Sequence, residues 1–127
     1  MLLPTLLLLS HDDSLAALVE KASKTGWRVA QHRETHATHS LFAEPNVRVV
    51  ILDDEAVDEH DRGRLLAQIR RRLPTASLLY IAGGHNEDNE KRARTGGAHY
   101  YVSKPLAPER FHHILASFMR SHEAASS

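Results

Sequence analysis

VRVVIL, at residues 47–52, is an apolar run that is followed at once by two carboxylates, Asp53 and Asp54. Its β-branched side chains and its lack of strict alternation are typical of a strand buried on both faces, as in a parallel sheet. Further short apolar runs occur at residues 5–9 (TLLLL), 78–82 (LLYIA) and 99–102 (HYYV), with a weaker one at residues 27–31. The sequence therefore predicts five strands.

Between these runs, apolar residues recur at the spacing of an amphipathic helix. Three segments show one apolar stripe each: residues 15, 18, 19 and 22; residues 65, 66, 69 and 73; and residues 111, 114, 115, 118 and 119. Ser14 or Asp13 is suited to cap the start of the first helix, Pro74 ends the second, and Pro108 stands near the start of the third. The pattern predicts three amphipathic helices.

Weaker helical patterns cover residues 35–43 and 86–95, which have few apolar positions and are expected to form short or mobile helices. The resulting order is a strand and a helix repeated five times. Right-handed crossovers then predict an α/β fold with a single doubly wound, five-stranded parallel sheet and helices on both faces. Ligands bind such sheets at the carboxyl ends of the strands, so functional residues are expected there.

The composition of the chain excludes several classes of function. Its 127 residues, 42% of them hydrophobic and 25% charged, suit one globular domain. Sixteen basic residues balance sixteen acidic ones, so we expect no direct nucleic-acid binding. The absence of cysteine excludes disulfides, thiolate metal sites and cysteine nucleophiles. Residues 1–9 are apolar but too short to span a bilayer and lack a basic start, so we expect a cytoplasmic chain without membrane attachment.

Polar residues follow three of the predicted strands. The first strand is followed by Ser10, His11, Asp12 and Asp13, and the third by Asp53. The fourth strand ends at Ala82, and the fifth is followed by Lys104 and Pro105. A carboxylate and a lysine from distant parts of the chain are therefore expected at one edge of the sheet.

These residues stand in a recognisable pattern. The segment VVILD ending at Asp53, and GGAHYYVSKPLAPERF at residues 96–111, resemble the receiver domain of two-component response regulators, which has the (βα)5 flavodoxin-like fold. The resemblance covers roughly residues 4–121. We accordingly expect a receiver-like domain at residues 1–122 and a disordered tail or linker start at residues 123–127. Members of this family are signalling modules, so we expect no enzyme.

The resemblance implies a role for each matching residue. Asp53 corresponds to the phosphoacceptor of the family, and Lys104 to the lysine that contacts the phosphoryl group. Tyr101 corresponds to the aromatic residue that changes rotamer on activation, and the Lys104–Pro105 bond is expected to be cis. The resemblance also implies a sensor histidine kinase and a protein partner on the face of the fourth helix, fifth strand and fifth helix. An exposed Tyr100 or Tyr101 would give that face an aromatic anchor, and family members often dimerise there.

The sequence departs from the family's pattern at the site itself. Ser10 and His11 stand where two acidic residues usually hold Mg²⁺, and Ala82 stands where a threonine or serine usually binds the phosphoryl oxygen. Val57 replaces a proline that usually follows the phosphoacceptor. We therefore expect an atypical protein-interaction module with impaired Mg²⁺-dependent phosphorylation and no cofactor.

Charge arithmetic favours the same interpretation. Asp53 and Lys104 balance, so the site is expected to be nearly neutral without metal, with an ion pair that Ser10 or His11 supports by hydrogen bonds. A protonated His11 would add positive charge there.

The alternative is a genuine phosphoacceptor that a histidine kinase phosphorylates on Asp53. That function would need Mg²⁺ at a shifted site formed by Asp12, Asp13 and Asp53. Shifting the first helix by two residues would turn its apolar stripe by about 200°, away from the core. We therefore favour capping and N-terminal charge as the roles of Asp12 and Asp13.

Other side-chain clusters are interpreted as surface features. His32, His36 and His39 would share a face that binds Zn²⁺ or Cu²⁺ only if residues 32–39 were helical. The arginines at residues 70–72 are interpreted as a solvated helix face, because no nucleic-acid-binding motif accompanies them. Residues 53–55 (DDE) loosely resemble the D-x-D motif of aspartate-nucleophile phosphohydrolases, but the second aspartate is misplaced.

Overall fold

The computed structural model describes residues 3–23, 25–36, 38–84 and 86–126. Five strands form one sheet in the order β2-β1-β3-β4-β5, and every neighbouring pair is parallel. The strands are β1 Thr5–Leu9, β2 Arg28–His32, β3 Val47–Asp53, β4 Ser77–Ala82 and β5 Tyr100–Ser103. The predicted five-stranded, doubly wound parallel sheet is therefore confirmed, with strand ends within one residue of those expected.

Five helices connect or follow the strands: α1 Asp13–Ala22, α2 Thr38–Phe42, α3 Arg62–Arg72, α4 Glu87–Thr95 and α5 Pro108–Ser126. Two short 3₁₀ turns, at Asp54–Ala56 and Glu59–Asp61, lie in the connection between β3 and α3. Helix α5 continues past residue 122, where we placed the domain boundary; that division stays a prediction, and residue 127 lies outside the described residues. No described helix is both long enough and apolar enough to span a membrane.

The cap of α1 is Asp12, one of the two aspartates for which capping and N-terminal charge were favoured, and not the Ser14 or Asp13 suggested by the start of the helical pattern. Neither Ser14 nor Asp13 caps this helix: Asp12 does, because its Oδ1 accepts from the backbone N–H groups of Ser14 (2.9 Å) and Leu15 (3.2 Å). An aspartate in extended backbone geometry just before the first helical residue satisfies two amides that lack a partner within the helix. The helix therefore starts one residue earlier than a cap at Asp13 would place it.

Both faces of the sheet are covered, which explains the near-continuous apolar strands. Alternate strand residues such as Leu7, Leu52 and Tyr80 pack with α2, α3 and α4 on one face. Their neighbours, such as Leu8 and Ile51, pack with α1 and α5 on the other. Because the strands are parallel, their carboxyl ends lie at one edge, where the loops that follow β1, β3, β4 and β5 meet.

One glycine fixes the entry into β5. Gly97 has φ +112°, a left-handed conformation that side chains with a Cβ rarely adopt. A Cβ at this position would also meet the side chain of Arg70, which lies across the turn. Gly97 therefore lets the chain turn tightly from α4 into β5 against the side chain of Arg70, a residue of α3.

Candidate functional site

The site is built around Asp53, the last residue of β3, whose side chain is 0% exposed. The Ser10 hydroxyl, just after β1, donates to Asp53 Oδ2 at 2.6 Å, and Lys104 Nζ, just after β5, donates to the same oxygen at 3.0 Å. The backbone N–H of Glu55 donates to Asp53 Oδ1 at 3.2 Å. The ion pair between Asp53 and Lys104 that the sequence suggested is present, with Ser10 as its additional hydrogen-bond partner.

Lys104 contacts two further carboxylates. Its Nζ donates to Asp12 Oδ2 at 2.9 Å and to Glu55 Oε1 at 2.8 Å. One ammonium group therefore serves three carboxylates, and the cluster of Asp12, Asp53, Glu55 and Lys104 has a formal excess of two negative charges. The expectation of a nearly neutral site is wrong, because it counted only Asp53 and Lys104.

The hydrogen bonds of Lys104 keep this cluster charged. Burial disfavours the ammonium, but the hydrogen bonds to Glu55, Asp12 and Asp53 outweigh it and raise the pKa of Lys104 above its usual range. The hydrogen bond from Lys104 lowers the pKa of Asp12, against the opposing effect of burial. Lys104 therefore stays protonated, and Asp12 ionised, throughout the neutral range.

His11 and Asp13 lie at the rim of the site. The exposed ring of His11 approaches the backbone carbonyl of Glu55, with 3.1 Å between Nε2 and that oxygen, and donates to it when Nε2 carries the proton. The Asp13 carboxylate is 85% exposed and accepts from Arg33 Nη1 at 2.7 Å. The structure thus brings together Ser10, Asp12, Asp53 and Lys104 of the predicted residues, while His11 contacts the Glu55 backbone and Asp13 pairs outside the cluster.

Ala82 lies next to the site, whereas Tyr101 lies two residues before the end of β5. Ala82 is buried at the end of β4, and its carbonyl accepts from the backbone N–H of Lys104 at 2.8 Å. Tyr101 is buried and stacks on Tyr80 with 5.7 Å between ring centroids. An exposed Tyr101 as an aromatic anchor is therefore wrong; Tyr100 is half-buried and its hydroxyl accepts from Arg110 at 3.3 Å. The Lys104–Pro105 bond is cis, as predicted.

Glu55 and Asp54 follow Asp53 directly in the sequence, and the structure gives each of them a defined place. Glu55 lies against Gly83, where a Cβ would come within 2.5 Å of Glu55 Cγ, so the missing side chain at Gly83 gives Glu55 its path to Lys104. Asp54 is buried on the other side of the loop and accepts from the Tyr80 hydroxyl. The glycine after β4 was the one sequence signal for the position of Glu55.

The fold family implies a Mg²⁺ ion, and the donor set decides whether these residues fit one. Carboxylate oxygens are suitable ligands for Mg²⁺. Here, however, Asp12, Asp53 and Glu55 each direct an oxygen at Lys104 Nζ, and the second oxygen of Asp53 accepts from a backbone N–H. With the ammonium at its centre, this arrangement does not fit a divalent cation.

Other residues considered as metal ligands do not converge with this cluster. His32 ends β2, where its Nε2 lies 3.0 Å from Glu44 Oε1, so the helical condition for a site with His36 and His39 is not met. In the described part of the chain, one group of three side chains has ligand atoms within 4.8 Å of one another: Asp58, His60 and Asp61. Asp58 and His60 of this group are exposed and Asp61 is half-buried, and all three lie in the connection before α3.

No protein-family model and no curated protein matches the chain. Solved structures match it closely in shape. A response regulator from Thermotoga maritima has a TM-score of 0.79 at 17% identity, with 94% of this chain and 99% of that chain covered. A Burkholderia pseudomallei response regulator, solved with a phosphorylated aspartic acid, calcium and citrate, has a TM-score of 0.72 at 21% identity, covering 98% of this chain and 75% of that one.

A third match has a different description. A putative pilus assembly protein from Burkholderia thailandensis has a TM-score of 0.74 at 19% identity, with 92% of this chain and 98% of that chain covered. At these identities the likeness bears on fold and leaves function to the residues of the site. The chain has the response-regulator receiver fold.

Proposed function

We propose that this chain is a receiver-type module of two-component or phosphorelay signalling that acts by protein interaction, with impaired Mg²⁺-dependent phosphorylation of Asp53. The observation that carries the proposal is the position of Lys104, whose ammonium binds Asp12, Asp53 and Glu55 together. The cluster supplies its own cation in this way. We propose that the module binds its partner with Lys104 paired to these three carboxylates and without a bound metal ion.

The geometry around Asp53 supports impaired phosphoryl transfer. Phosphoryl transfer depends on an oriented nucleophile and on cations that neutralise the incoming group. Asp53 Oδ2 already accepts from Ser10 and Lys104, and Asp53 Oδ1 accepts from the Glu55 backbone. An incoming phosphoryl group would also meet the negative side chains of Asp12 and Glu55. Ala82 has no hydroxyl to offer it.

The partner is expected to be a protein on the α4-β5-α5 face, with a sensor histidine kinase as one candidate. A cavity of about 470 Å³ opens on this face. Its lining combines charged side chains, among them Glu90 and Arg110, with the half-buried Tyr100 and Ile114. Mixed polar and aromatic surface of this kind is typical of protein interfaces.

A second copy of the chain would suit the same face, which makes a homodimer a further expectation. We expect neither membrane attachment nor direct nucleic-acid binding. We expect a cytoplasmic location.

A direct test is incubation with acetyl phosphate or phosphoramidate and Mg²⁺, read by intact mass. We expect no phosphoryl adduct on the wild-type chain under conditions that fully modify an unrelated, active receiver domain. Asp53→Asn is the matched control for any adduct that does form. A phosphoryl adduct on wild type that is absent from Asp53→Asn would overturn the proposal of impaired phosphorylation.

One observation favours the alternative of a genuine phosphoacceptor. Asp12 Oδ2 and Asp53 Oδ2 bind the same Lys104 Nζ, so a second carboxylate does reach the site although positions 10 and 11 are not acidic. If the adduct forms, Asp12→Asn tests whether the Asp12 carboxylate is a metal ligand or only a hydrogen-bond partner of Lys104. Loss of the adduct in that variant would support a shifted metal site at Asp12, whereas its persistence would exclude Asp12 as a required ligand.

A further inference from the structure

Asp54 is a second buried carboxylate, 3% exposed, that lies directly after the phosphoacceptor-equivalent residue. The Tyr80 hydroxyl donates to Asp54 Oδ2 at 2.9 Å, and Asn89 Nδ2 donates to the same oxygen at 3.1 Å. The backbone N–H of Gly83 donates to Asp54 Oδ1 at 2.9 Å. One carboxylate therefore connects the β3–α3 loop to β4, to the β4–α4 loop and to α4 itself.

A guanidinium group completes the surroundings of Asp54. Arg62 Nη1 lies 3.8 Å from Asp54 Oδ2, and Arg62 Nε donates to the backbone carbonyls of Asp54 and Val57 at 3.2 Å each. A buried carboxylate is tolerated when hydrogen bonds and an opposite charge replace its hydration. Removing this carboxylate would leave the groups that donate to it without their acceptor, at a cost of roughly five- to hundredfold in the local equilibrium.

Apolar packing does little to hold α4 on the sheet. Of the residues in α4, Ala93 is the one that is buried. A cavity of about 600 Å³ lies between α3 and α4, and its lining includes Leu66, Tyr80, Asn89 and Ala93. The polar contacts of Asn89 with Asp54 and Tyr80 therefore add to a small apolar contact and contribute to the attachment of α4.

We propose that Asp54 is a positioning residue whose carboxylate fixes α4 and the β4–α4 loop to the sheet, so that loss of this carboxylate releases α4 as a local unit. Segments with few buried apolar side chains open at low free energy, which makes α4 the element most sensitive to one polar contact. The inference about α4 does not depend on whether Asp53 accepts a phosphoryl group. Only one consequence rests on the proposed function: that release of α4 would weaken partner binding on the α4-β5-α5 face.

Hydrogen exchange followed by mass spectrometry tests the proposal on the full chain. In Asp54→Ala, amides of residues 83–95 are expected to exchange about tenfold faster or more, while those of β1, β3 and α5 keep their protection. Asp54→Asn retains one acceptor oxygen and is expected to fall between wild type and Asp54→Ala. This graded, local response is the signature of positioning, because general destabilisation would accelerate exchange in the central strands as well.

A matched control is an ion pair within the same helix. Glu90→Ala removes the pair between Glu90 Oε2 and Arg94 Nε, 3.0 Å apart, leaves the hydrogen bonds of Asp54 in place, and is expected to change exchange in α4 less than about twofold. If Asp54→Ala does not fold, Asn89→Ala and Tyr80→Phe each remove one donor to the carboxylate and are expected to give a smaller local rise. Unchanged exchange at residues 83–95, or a rise of equal size throughout the sheet, would overturn the proposal.

Discussion

The Ser10 hydroxyl makes two hydrogen bonds that organise the site. It donates to Asp53 Oδ2 at 2.6 Å and accepts from the backbone N–H of Asp12 at 3.0 Å. A carboxylate at position 10 would place another negative group beside Asp53, in addition to Asp12 and Glu55, whereas the serine hydroxyl donates a hydrogen bond. Serine here therefore favours a closed ion pair between Asp53 and Lys104 over a site that is open to an external cation.

Removing Lys104 is expected to expose how far the carboxylates depend on it. Lys104→Met keeps most of the side-chain length but leaves the fully buried Asp53 beside Asp12 and Glu55 without a cation. We expect a loss of about 3 to 5 kcal/mol in the free energy of unfolding at pH 7, the usual range for removing one partner of a buried pair. Urea denaturation of wild type and variant measures it.

The double variant Lys104→Met, Asp53→Asn is the control for this prediction. Neutralising Asp53 relieves the buried charge that Lys104→Met leaves behind, so the double variant is expected to be more stable than Lys104→Met alone by about 1 kcal/mol or more. A double variant that is less stable than Lys104→Met would show that the contact between Asp53 and Lys104 is not the dominant one.

Thr5 offers a second prediction at the scale of one residue. Its side chain is fully buried at the start of β1, and its Oγ1 has no hydrogen-bond partner among the described residues. Thr5→Val replaces that hydroxyl with a methyl group of similar size, and we expect a gain of about 1 kcal/mol in the free energy of unfolding. Thr35→Val is the control, because Thr35 Oγ1 donates to the Ala56 carbonyl at 3.2 Å, and it should destabilise. Equal effects of the two substitutions would contradict this account.

The residues of the site were predictable to different degrees. Ser10, Asp53 and Lys104 follow parallel strands, whose carboxyl ends must meet, so their proximity follows from the strand pattern. The direction of Glu55 and Asp54 depends on a 3₁₀ turn of three residues and on the space above Gly83, and no periodicity encodes either. The charge of the cluster was mispredicted because Asp12 and Glu55 were not expected to reach Lys104, although the central pair of Asp53 and Lys104 was found.

At the scale of elements, predictability follows the amount of apolar surface that each element buries. The strands and the helices α1, α3 and α5 carry apolar stripes, and the sequence located all of them. Helix α2 is reduced to Thr38–Phe42, with Leu41 as its buried residue, and α4 buries Ala93 alone. Because tertiary contacts rather than intrinsic stripes define these two helices, the sequence indicated where they lie but not how they are held.

The attachment of α5 carries a prediction about pH. His122 Nε2 lies 3.0 Å from Ser77 Oγ at the start of β4, and burial, Arg48 and His99 lower the pKa of His122 below its ordinary value of 6.5. Neutral His122 is thus favoured in the folded state. The resulting stability is fully present above pH 6.5 and is lost as the pH falls through the lowered pKa of the folded chain.

His122→Gln removes this titration and keeps a side chain able to hydrogen-bond Ser77. We expect the difference in unfolding free energy between wild type and His122→Gln to shift in favour of the variant as the pH falls below 6.5. Urea denaturation at a series of pH values from neutral to mildly acidic gives that difference directly. A difference that stays constant over this range would refute the link between His122 burial and pH.

Over the whole molecule, formal charges cancel, but the fold concentrates negative charge at one edge of the sheet. Sixteen acidic and sixteen basic residues balance in the sequence, while Asp12, Asp53 and Glu55 share Lys104 at the ends of β1, β3 and β5. This local excess comes from the topology and is invisible in the net charge. Lys104 and an external divalent cation would compete for these three carboxylates. Because binding to the folded chain stabilises it, that competition can be measured as a change in the stability of the whole molecule.

Thermal unfolding with and without Mg²⁺ measures that balance. Wild type is expected to show almost no change in Tm at about 10 mM Mg²⁺, because Lys104 already holds the three carboxylates. In Lys104→Met the same carboxylates face no ammonium, so Mg²⁺ should bind: a Kd of about 1 mM would add about 1.4 kcal/mol. For a chain of this size that stabilisation raises Tm by about 5 °C. The double variant Lys104→Met, Asp53→Asn should lose most of this Mg²⁺-dependent rise in Tm. A rise in the Tm of wild type as large as that of Lys104→Met would show that Lys104 does not exclude the metal.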